Sequence, residues 1–564
     1  MSTTVSPVYE WNALPWRTLE QDVYKLQKRI FRASQRGETK TVHRLQRLLM
    51  KSWAGRCLAV RKVTQDNRGK KTAGVDGVKR LTLPQRLQLA HDLAVTTKAH
   101  PVRRVWIPKP GTREKRGLGI PTIRNRAEQT LVRLALEPEW EAHFEPNSYG
   151  FRPGRSCHDA IEAIFHDICR KPKYVLDADI AACFDRLDQR ALVRKLHPFP
   201  ALGRVIRGWL KAGVWDGVDF KPTVTGVQQG SPLSPLLANV ALHGLETDVQ
   251  AAFPSRYTRN GQVHRHWKPT VVKYADDFVV LHEDRAVIEQ VEQLIAEWLS
   301  GIGLELKAEK TRMCHTLAPH DGIEVGFDFL GFEVRQYRVG YHRSGRLHQG
   351  FKTIIKPSKA AQKRHIKETG QIVHRYRTAP QAALIAALNP VIRGWSRYYA
   401  TVISSEVFST METRLHGQLR RWSRRRHPNK SARWIARRYW HTEGQRHWVF
   451  GCKGAGRLRR HGETPIKRHV KVRSEASLYD GNLLYWATRL GRHPELPSSR
   501  AALLKRQQGR CAHCGLLFAT MDDVMENDHC VPRAHNGTNA PHNRQLLHGH
   551  CHDEKTAREQ SLAK

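Results

Sequence analysis

The sequence predicts a multidomain α/β protein with a large mixed domain, a helical domain and a small metal-binding module. Its 564 residues, 40% hydrophobic and 26% charged, suffice for roughly three to four domains with buried cores. Between residues 100 and 335, short β-rich runs alternate with helical stretches, which is typical of α/β or α+β domains. Residues 355–445 are helical and basic, and the last 65 residues are rich in Cys, His and Asn.

Five segments follow from these changes in pattern. A helical, basic N-terminal extension (1–70) has Leu45, Leu48 and Leu49 at helical spacing and ends before a Gly/Asp turn cluster. The mixed segment (71–335) contains one clear amphipathic helix from Val287 to Leu299. A helical segment (336–445), a basic connector (446–500) and the Cys/His module (501–564) complete the chain.

The chain is strongly basic, with 95 Lys and Arg residues, 52 Asp and Glu residues and a net charge of +43. Such a charge calls for a polyanionic partner, which disfavours a small-metabolite enzyme and makes nucleic acid the first candidate. A membrane partner is not expected, because no run of about 18 apolar residues occurs. The polar N-terminus does not resemble a secretory signal, and the sparse cysteines before residue 500 fit a reducing cytoplasm. We therefore expect a protein that is not secreted.

The strongest single signal is a pair of aspartates, Asp276 and Asp277, between two apolar runs. The pattern predicts a β-hairpin with both carboxylates at its tip, although an isolated Asp pair is more often a simple turn. A third carboxylate, Asp179, follows the predicted strand that begins at Tyr174. Three carboxylates on neighbouring strand ends can hold two Mg²⁺ ions about 4 Å apart, which suits phosphoryl transfer.

Several further motifs accompany these carboxylates, and their order from about residue 70 to residue 335 resembles that of reverse transcriptases. They are Arg104-Val105-Trp106-Ile107-Pro108-Lys109, Arg116-Gly117-Leu118-Gly119-Ile120-Pro121, Asn147-Ser148-Tyr149-Gly150-Phe151-Arg152-Pro153-Gly154-Arg155-Ser156, Asp179-Ile180-Ala181-Ala182-Cys183-Phe184-Asp185, Gln229-Gly230-Ser231-Pro232-Leu233-Ser234-Pro235, Tyr274-Ala275-Asp276-Asp277, Gly303-Leu304-Glu305-Leu306 with Lys310-Thr311, and Phe327-Asp328-Phe329-Leu330-Gly331-Phe332. The resemblance implies a right-hand polymerase with α+β fingers and palm in residues 71–335 and a helical thumb after them.

The resemblance also implies roles for individual residues. Asp179, Asp276 and Asp277 would be the Mg²⁺ ligands of a two-metal polymerase site. Phe184 would pack under the sugar and reject a 2′-hydroxyl, which selects dNTP substrates. The cations Lys109 and Arg116 would hold the triphosphate, and Gln229 would contact the incoming nucleotide.

Two later motifs narrow the resemblance to the group II intron-encoded reverse transcriptase/maturase proteins. They are Asn389-Pro390-Val391-Ile392-Arg393-Gly394-Trp395-Ser396-Arg397-Tyr398-Tyr399 and Arg424-Arg425-Arg426-His427-Pro428-Asn429-Lys430. They are similar to the maturase, or X, domain of that family. The resemblance implies that residues 336–445 bind the intron's own RNA.

The composition of residues 414–443 supports an RNA-binding role independently. No acidic residue occurs between Arg414 and Glu443, and cations alone give salt-sensitive, sequence-blind affinity for phosphates. We expect Trp422, Trp434 and Trp440 to lie in the helical core, although aromatic side chains among cations can also stack on unpaired bases. The candidate RNA-binding residues are Arg420, Arg421, Arg424, Arg425, Arg426, Lys430, Arg433, Arg437 and Arg438.

The C-terminal module contains Cys511-Ala512-His513-Cys514, which has the spacing of a zinc knuckle. His548 and Cys551 are the expected partners in a structural Zn²⁺ site, with Cys530 and His550 as alternatives to His548. A His, Asn, His series follows the knuckle and resembles the HNH, or ββα-metal, nucleases. By that resemblance His529 is the general base, Asp528 and His552 hold a divalent metal, and Asn543 orients the His-bearing loop or joins the metal ligands. A structural zinc ribbon that grips DNA without cutting is the alternative.

Together, these inferences predict a group II intron-encoded protein with three activities. It would copy intron RNA by target-primed reverse transcription, assist splicing of that RNA, and nick a double-stranded DNA target to make the primer. The connector at 446–500 would bind DNA, and the protein would work in a bacterial cytoplasm near the nucleoid or in an organelle. The alternatives are a retron-type or diversity-generating reverse transcriptase, and an RNA-binding splicing factor without an active polymerase. Neither the DNA target sequence nor the oligomeric state follows from the sequence.

Overall fold

The computed structural model describes residues 10–108, 114–259, 262–264, 266–343, 349–452, 456–518 and 525–562. In chain order, a helical region is followed by a mixed α/β region, a second helical region and a small C-terminal ββα unit. None of the described helices is both long enough and apolar enough to cross a membrane.

The N-terminal helices pack on one another and on the long helix at Ile123–Glu141, burying an apolar cluster that includes Ile30, Leu49 and Leu131. The last helix of this group starts with a capping box between Thr82 and Gln85, which satisfies two free backbone N–H groups. These helices are α1 (Trp16–Gln35), α2 (Thr39–Lys51), α3 (Trp53–Arg61) and α4 (Leu83–Asp92).

The region that corresponds to the predicted fingers is a small sheet followed by two helices. Its order is β2-β1-β4-β5, with β1 antiparallel to β2 and parallel to β4. The last two strands, β4 (Val214–Trp215) and β5 (Phe220–Lys221), come from later in the chain. The first elements are β1 (Val102–Pro108), β2 (Lys115–Ile120), α5 (Ile123–Glu141) and α6 (Cys157–Ile168).

The predicted palm is built on an antiparallel sheet of order β10-β3-β9-β8. Both faces of this sheet are covered, because Leu176 and Val280 face one apolar cluster while Val175 and Val279 face another. The elements are β3 (Tyr174–Asp179), α7 (Cys183–Arg186), α8 (Gln189–Leu196), α9 (Pro200–Leu210), β4 (Val214–Trp215), β5 (Phe220–Lys221), α10 (Ser234–Leu242), α11 (Leu245–Ala251), β6 (Tyr257–Arg259), β7 (Gln262–His264), β8 (Thr270–Tyr274), β9 (Asp277–His282), α12 (Arg285–Ser300) and β10 (Arg312–His315).

A second sheet, β11-β12-β13, and a helical region follow the palm. The helices share a core that includes Leu388, Trp422 and Phe450. Asn389 joins this core to the hairpin beyond it, since its side chain donates to Arg457 O (3.0 Å) and accepts from Arg459 N (2.7 Å). The elements are β11 (Phe327–Phe329), β12 (Phe332–Arg338), β13 (Phe351–Pro357), α13 (Lys359–Arg375), α14 (Gln381–Tyr399), α15 (Ser405–Arg426), α16 (Ala432–Tyr439), β14 (Trp440–Glu443), β15 (Arg446–Cys452) and β16 (Gly456–Arg457).

Residues 464–490, which the sequence treats as part of a connector, run back over the palm, and we call them the palm strap. Its Trp486 is fully buried in the palm cluster, and its Val472 N donates to the buried Asp159 of α6 (2.7 Å). The chain then forms the C-terminal unit. The elements are α17 (Leu483–Leu490), α18 (Ser498–Arg506), β17 (Met525–His529), β18 (Arg544–His548) and α19 (Gly549–Leu562).

Candidate functional sites

Asp276 lies in the turn of the β8–β9 hairpin and Asp277 begins β9. Tyr274 pairs with Asp277, so the loop has two residues, and its first residue, Ala275, has a φ of 59°. Two-residue hairpin loops require such left-handed conformations. Gly150 packs directly under this turn, because a Cβ added there would lie 2.3 Å from Ala275 N. The close packing holds the turn against the body of the palm.

Asp179 lies directly beside the hairpin tip. It ends β3 and is the register partner of Asp277 in the antiparallel β3–β9 pair. Its own carbonyl accepts a hydrogen bond from Lys307 N (2.8 Å), which fixes the end of the strand. The structure therefore brings together the three carboxylates that the sequence singles out.

The electrostatics of the three carboxylates fit a cation site. Burial raises the pKa of Asp276, and the charge of Asp179 adds to the effect. Although Asp277 is partly open to solvent, the surrounding protein, the charges of Asp276 and Asp179 and a hydrogen-bonding contact with Asp179 raise its pKa to about 7. Burial and the mutual repulsion of the carboxylates both disfavour their charged forms, and a divalent cation would offset both effects. Carboxylate oxygens are ligands that Mg²⁺ accepts. The donor set therefore fits Mg²⁺.

A cavity of about 550 Å³ opens in front of Asp179 and Asp276. Three of the four predicted nucleotide-binding residues, Arg116, Phe184 and Gln229, line it. The fourth, Lys109, lies outside the described residues. A guanidinium, an aromatic ring and an amide therefore line the same cavity as two of the carboxylates.

The same cavity is also lined by four cations that were not predicted as site residues, namely Arg104, Lys115, Lys307 and Lys310. Lys310 forms an ion pair with Asp179, and this hydrogen bond raises the pKa of the lysine. Arg104 and Lys310 both lie within the motifs that resemble those of reverse transcriptases, so they could have been predicted as site residues from those motifs. All four add positive charge to the lining of the cavity.

The loop carrying Gln229 is fixed by a close backbone approach. Gly119 N donates to Gln229 O (2.7 Å). The next residue, Gly230, has a φ of 111°, and a Cβ added there would lie 2.9 Å from Gly119 O. Only glycine combines this conformation with this contact, which explains the Gln-Gly pair of the motif.

In the C-terminal unit, β17 and β18 form an antiparallel hairpin and α19 follows. His529 ends β17, and its Nε2 lies 3.0 Å from Asn539 Oδ1. That oxygen also accepts from Arg533 (2.8 Å) and Arg544 (3.0 Å), so the histidine Nε2 is the donor. The Nδ1 atom of His529 is then the nitrogen that can accept a proton.

Asn543 closes the loop that follows His529. Its Oδ1 accepts from Val531 N (2.8 Å), and its Nδ2 donates to Val531 O (3.0 Å) and Thr538 O (2.8 Å). Both ends of the buried amide are thus used within the loop, which favours the orienting role over metal ligation.

Asp528 precedes His529 on β17, and the other predicted ligand, His552, lies in the first turn of α19. Asp528 accepts hydrogen bonds from Lys555 Nζ (2.6 Å) and Gln545 Nε2 (2.9 Å). Burial opposes ionisation here, but these bonds outweigh it and lower the pKa of Asp528. Lys555, which sequence reasoning missed, also donates to His529 O (2.6 Å). Asp528 is therefore held as a carboxylate, the form that ligates metals.

The ligand atoms of Cys511, Cys514, His548 and Cys551 all lie within 4.8 Å of one another. Cys514 Sγ is 3.4 Å from His548 Nδ1. The alternative ligand Cys530 is elsewhere, 3.6 Å from Gln545 Oε1, and His550 is not in the cluster, its ring stacking on that of His548. Three thiols and one imidazole are a donor set typical of structural Zn²⁺, so these residues fit that ion.

Most of the candidate RNA-binding residues are exposed on α15, on α16 and in the loop between them. Arg426 differs, because its guanidinium donates to Arg377 O (3.2 Å) and Ala379 O (2.9 Å) and lies over the Trp422 ring. Trp422 is buried as expected. The prediction that Trp434 lies in the core is wrong, since its side chain is 39% exposed and Lys430 lies over its ring.

The fold and these sites define a class, a right-hand polymerase joined to a ββα nuclease, and comparisons with known families agree. Residues 107–334 match the reverse transcriptase (RNA-dependent DNA polymerase) family, and residues 11–93 match the N-terminal domain of reverse transcriptase. Residues 361–440 match the group II intron maturase-specific domain, and residues 511–558 match the HNH endonuclease family.

Three curated proteins are similar to about half of this chain. Protein YkfC of Escherichia coli is 32% identical over 332 residues, covering 53% of this chain and 85% of that protein. The group II intron-encoded protein LtrA of Lactococcus lactis is 29% identical over 342 residues, covering 50% and 55%. An uncharacterized 91 kDa protein in the cob intron of Schizosaccharomyces pombe is 27% identical over 369 residues, covering 55% and 44%. The chain thus spans about half the length of the last two relatives.

The chain belongs to the group II intron-encoded proteins, with reverse transcriptase, maturase and HNH endonuclease domains. By class it is an RNA-directed DNA polymerase and an endonuclease.

Proposed function

We propose that this protein copies its own intron RNA into DNA at a nicked target, and that Asp179, Asp276 and Asp277 hold the metal ions of that reaction. The observation that carries the proposal is the meeting of these carboxylates at the hairpin tip, beside a cavity lined by cations. Mg²⁺, when bound, would supply charge stabilisation and lower the pKa of the attacking 3′-hydroxyl.

The residues of the chain itself would do the rest. Arg116, Lys307 and Lys310 would neutralise the triphosphate of a dNTP, and Phe184 would crowd the 2′ position of its sugar. Gln229 would position the nucleotide from a loop that is fixed by the close contact of Gly230 with Gly119.

The nuclease would prepare the primer by nicking double-stranded DNA. His529 would take a proton from water through Nδ1, with Asn539 holding the opposite nitrogen. Asp528 and His552 would hold the divalent metal, and Asn543 would keep the His529 loop in place. Cys511, Cys514, His548 and Cys551 would hold Zn²⁺ as a structural ion. The connector (446–500) would contact DNA only through those residues that are not buried where the palm strap packs on the palm.

The intron RNA would bind the helical domain through the exposed arginines, and this binding would assist splicing. The setting would be the bacterial cytoplasm near the nucleoid, or an organelle. A retron-type enzyme is disfavoured by the maturase-specific and HNH matches. A splicing factor with a dead polymerase is disfavoured by the intact carboxylates.

Primer extension on an RNA template with Mg²⁺ tests the polymerase. Asp276→Asn keeps the size of the side chain but removes a charge, so we expect extension to be lost while the splicing of a precursor RNA continues. Loss of both activities would contradict the separate roles. Extension that survives in the variant would contradict the metal site.

A supercoiled plasmid carrying the intron's insertion site tests the nuclease. His529→Ala should abolish second-strand nicking, because it removes the imidazole that would accept the proton, yet should spare extension of a pre-cut primer. Asn539→Asp should lower the nicking rate less, since an acceptor remains at Nε2. Nicking by the His529 variant at the wild-type rate would refute the assignment.

A further inference from the structure

A groove of about 630 Å³ lies between α15 and α16 and is closed at one end by the β14–β15 hairpin. This volume is in the range of pockets that hold small ligands. Ile435 and Trp440, both buried, form its apolar floor. The groove is lined by His416, Arg420, Ser423, Arg424, Ala432, Arg433, Ile435, Ala436, Arg437, Trp440 and Trp448.

Four arginines face this groove, in two pairs. Arg420 and Arg424 are one turn apart on α15, and Arg433 and Arg437 are one turn apart on α16, the spacing that places side chains on one helix face. No acidic residue of the described chain lines the groove. The guanidiniums therefore create a positive site that suits phosphate oxygens on either side of it.

Trp448 forms the wall at the hairpin end. Its side chain is 65% exposed and its φ is 61°, an unusual conformation for a bulky residue. A β-bulge lies here, because His441 pairs with Val449 while Glu443 pairs with Arg446. Bulges commonly redirect a side chain, and strained backbone tends to cluster at functional positions.

The hairpin holds this exposed ring on a firm base. The neighbouring Trp440 and Phe450 are buried in the core of the helical domain, their ring centroids 5.2 Å apart. A second cavity, of about 320 Å³, lies along the hairpin, and Trp448 also lines it. The indole of Trp448 therefore lines both the groove and the second cavity.

We propose that this groove binds an unpaired RNA nucleotide, with the base stacked on Trp448 and the adjoining phosphates held by the four arginines. The inference rests on the proposed binding of intron RNA and specifies its chemistry. A paired base inside a helix cannot offer its face to an aromatic side chain, whereas a base in a loop or bulge can. The site also extends the RNA-binding surface beyond the maturase-specific match, which ends at residue 440.

The test measures how tightly the full-length protein binds a short, unstructured, fluorescein-labelled RNA. Trp448→Ala should weaken binding roughly 5- to 150-fold, the usual range for one stacked base, and Trp448→Tyr should restore most of the loss. Trp215→Ala is the control, because Trp215 is an exposed tryptophan on β4, outside the helical domain, that does not line the groove. We expect it to change the affinity less than about twofold. A thermal melt of each variant verifies folding.

Two further probes separate the possible ligands. A blunt RNA duplex of the same sequence should bind wild type and Trp448→Ala with the same affinity. If Trp448→Ala weakened binding of the duplex as much as binding of the unstructured RNA, the proposal would be overturned, and the groove would instead contact double-stranded RNA. For a single-stranded DNA of that sequence, Trp448→Ala should lower the affinity by no more than it lowers the affinity for the RNA. A loss confined to DNA would overturn the RNA assignment.

Primer extension by Trp448→Ala on a pre-annealed template should match wild type. Unchanged RNA affinity in that variant, with extension and intron binding intact in wild type, would refute this inference alone. Wild-type protein that fails to bind intron RNA would instead refute the proposed function.

Discussion

At the residue scale, Lys273 precedes the hairpin tip and forms a buried ion pair with Glu145. Its Nζ also donates to Leu242 O (2.9 Å). The Glu145 carboxylate further accepts from Gly244 N (2.9 Å) and Thr247 N (3.1 Å). Burial opposes its ionisation, but the contacts with His243 and Lys273 outweigh that and lower the pKa of Glu145. This network fixes the strand that leads to the turn with Asp276 and Asp277.

Lys273→Met should lower the free energy of unfolding by roughly 3–5 kcal/mol, because it leaves a buried carboxylate without its cation. Urea denaturation followed by circular dichroism measures the change. Lys171→Met is the control, since Lys171 pairs with Glu283 at the surface (2.7 Å), where such a pair is worth about 1 kcal/mol or less. Equal changes in the two variants would contradict the structural role of the buried pair.

At the element scale, the palm strap contributes directly to the polymerase domain. The buried Asp159 accepts from Val472 N, and its carboxylate also contacts His469 (2.9 Å) and Arg489. Burial disfavours this charge, yet these partners outweigh burial and lower the pKa of Asp159. Trp486 packs over Gly154, where an added Cβ would lie 2.5 Å from the ring. The strap thus packs against the segment that contains Gly150 and Gly154, and Gly150 in turn packs under the turn with Asp276 and Asp277.

Trp486→Ala should destabilise the palm by about 3–5 kcal/mol, the usual cost of removing a large buried aromatic side chain. The urea midpoint, followed together with the half-life of primer extension on warming, measures this effect. Leu516→Ala, at a position 66% exposed in the C-terminal unit, should change stability by less than about 0.5 kcal/mol. A polymerase as stable as wild type in the Trp486 variant would mean that the strap only covers the palm.

At the scale of the whole molecule, the net charge of +43 includes a run of cations in the helical domain, where intron RNA would bind. Arg421, Arg425 and Arg438 are exposed and lie in the stretch that has no acidic residue. Such side chains neutralise phosphates and release counterions, which makes the affinity fall steeply with salt.

Replacing these three arginines by glutamine should weaken intron RNA binding and reduce the slope of log K against log salt concentration by about two to three. Filter binding across a salt series measures the slope. Arg285→Gln is the matched control, because Arg285 is already paired with Glu289 (2.7 Å) and Asp321 (3.2 Å). An unchanged slope in the triple variant would show that these arginines face solvent in the complex.

The hairpin with Asp276 and Asp277 and the position of Asp179 could be predicted because strands produce a recognisable pattern in the local sequence. Apolar runs on both sides of Asp276 and Asp277 specify a buried hairpin, and antiparallel pairing then places the end of the β3 strand beside its tip. The candidate zinc ligands Cys511 and Cys514 could be predicted because their short spacing places them together whatever the rest of the fold does.

Other features depended on approaches between distant segments, which no local pattern records. Lys307 lines the nucleotide cavity only because its segment pairs with the end of β3. The exposure of Trp434 was decided by how α16 rotates against its neighbours, and the ring of Trp448 was turned outward by a bulge. The sequence of the palm strap predicts only a basic linker, and the contact between Trp486 and Gly154 is seen only in the tertiary structure. Periodicity and spacing along the chain therefore determined the elements and the ligand sets, while packing between distant segments alone decided which cations and aromatic rings share a site.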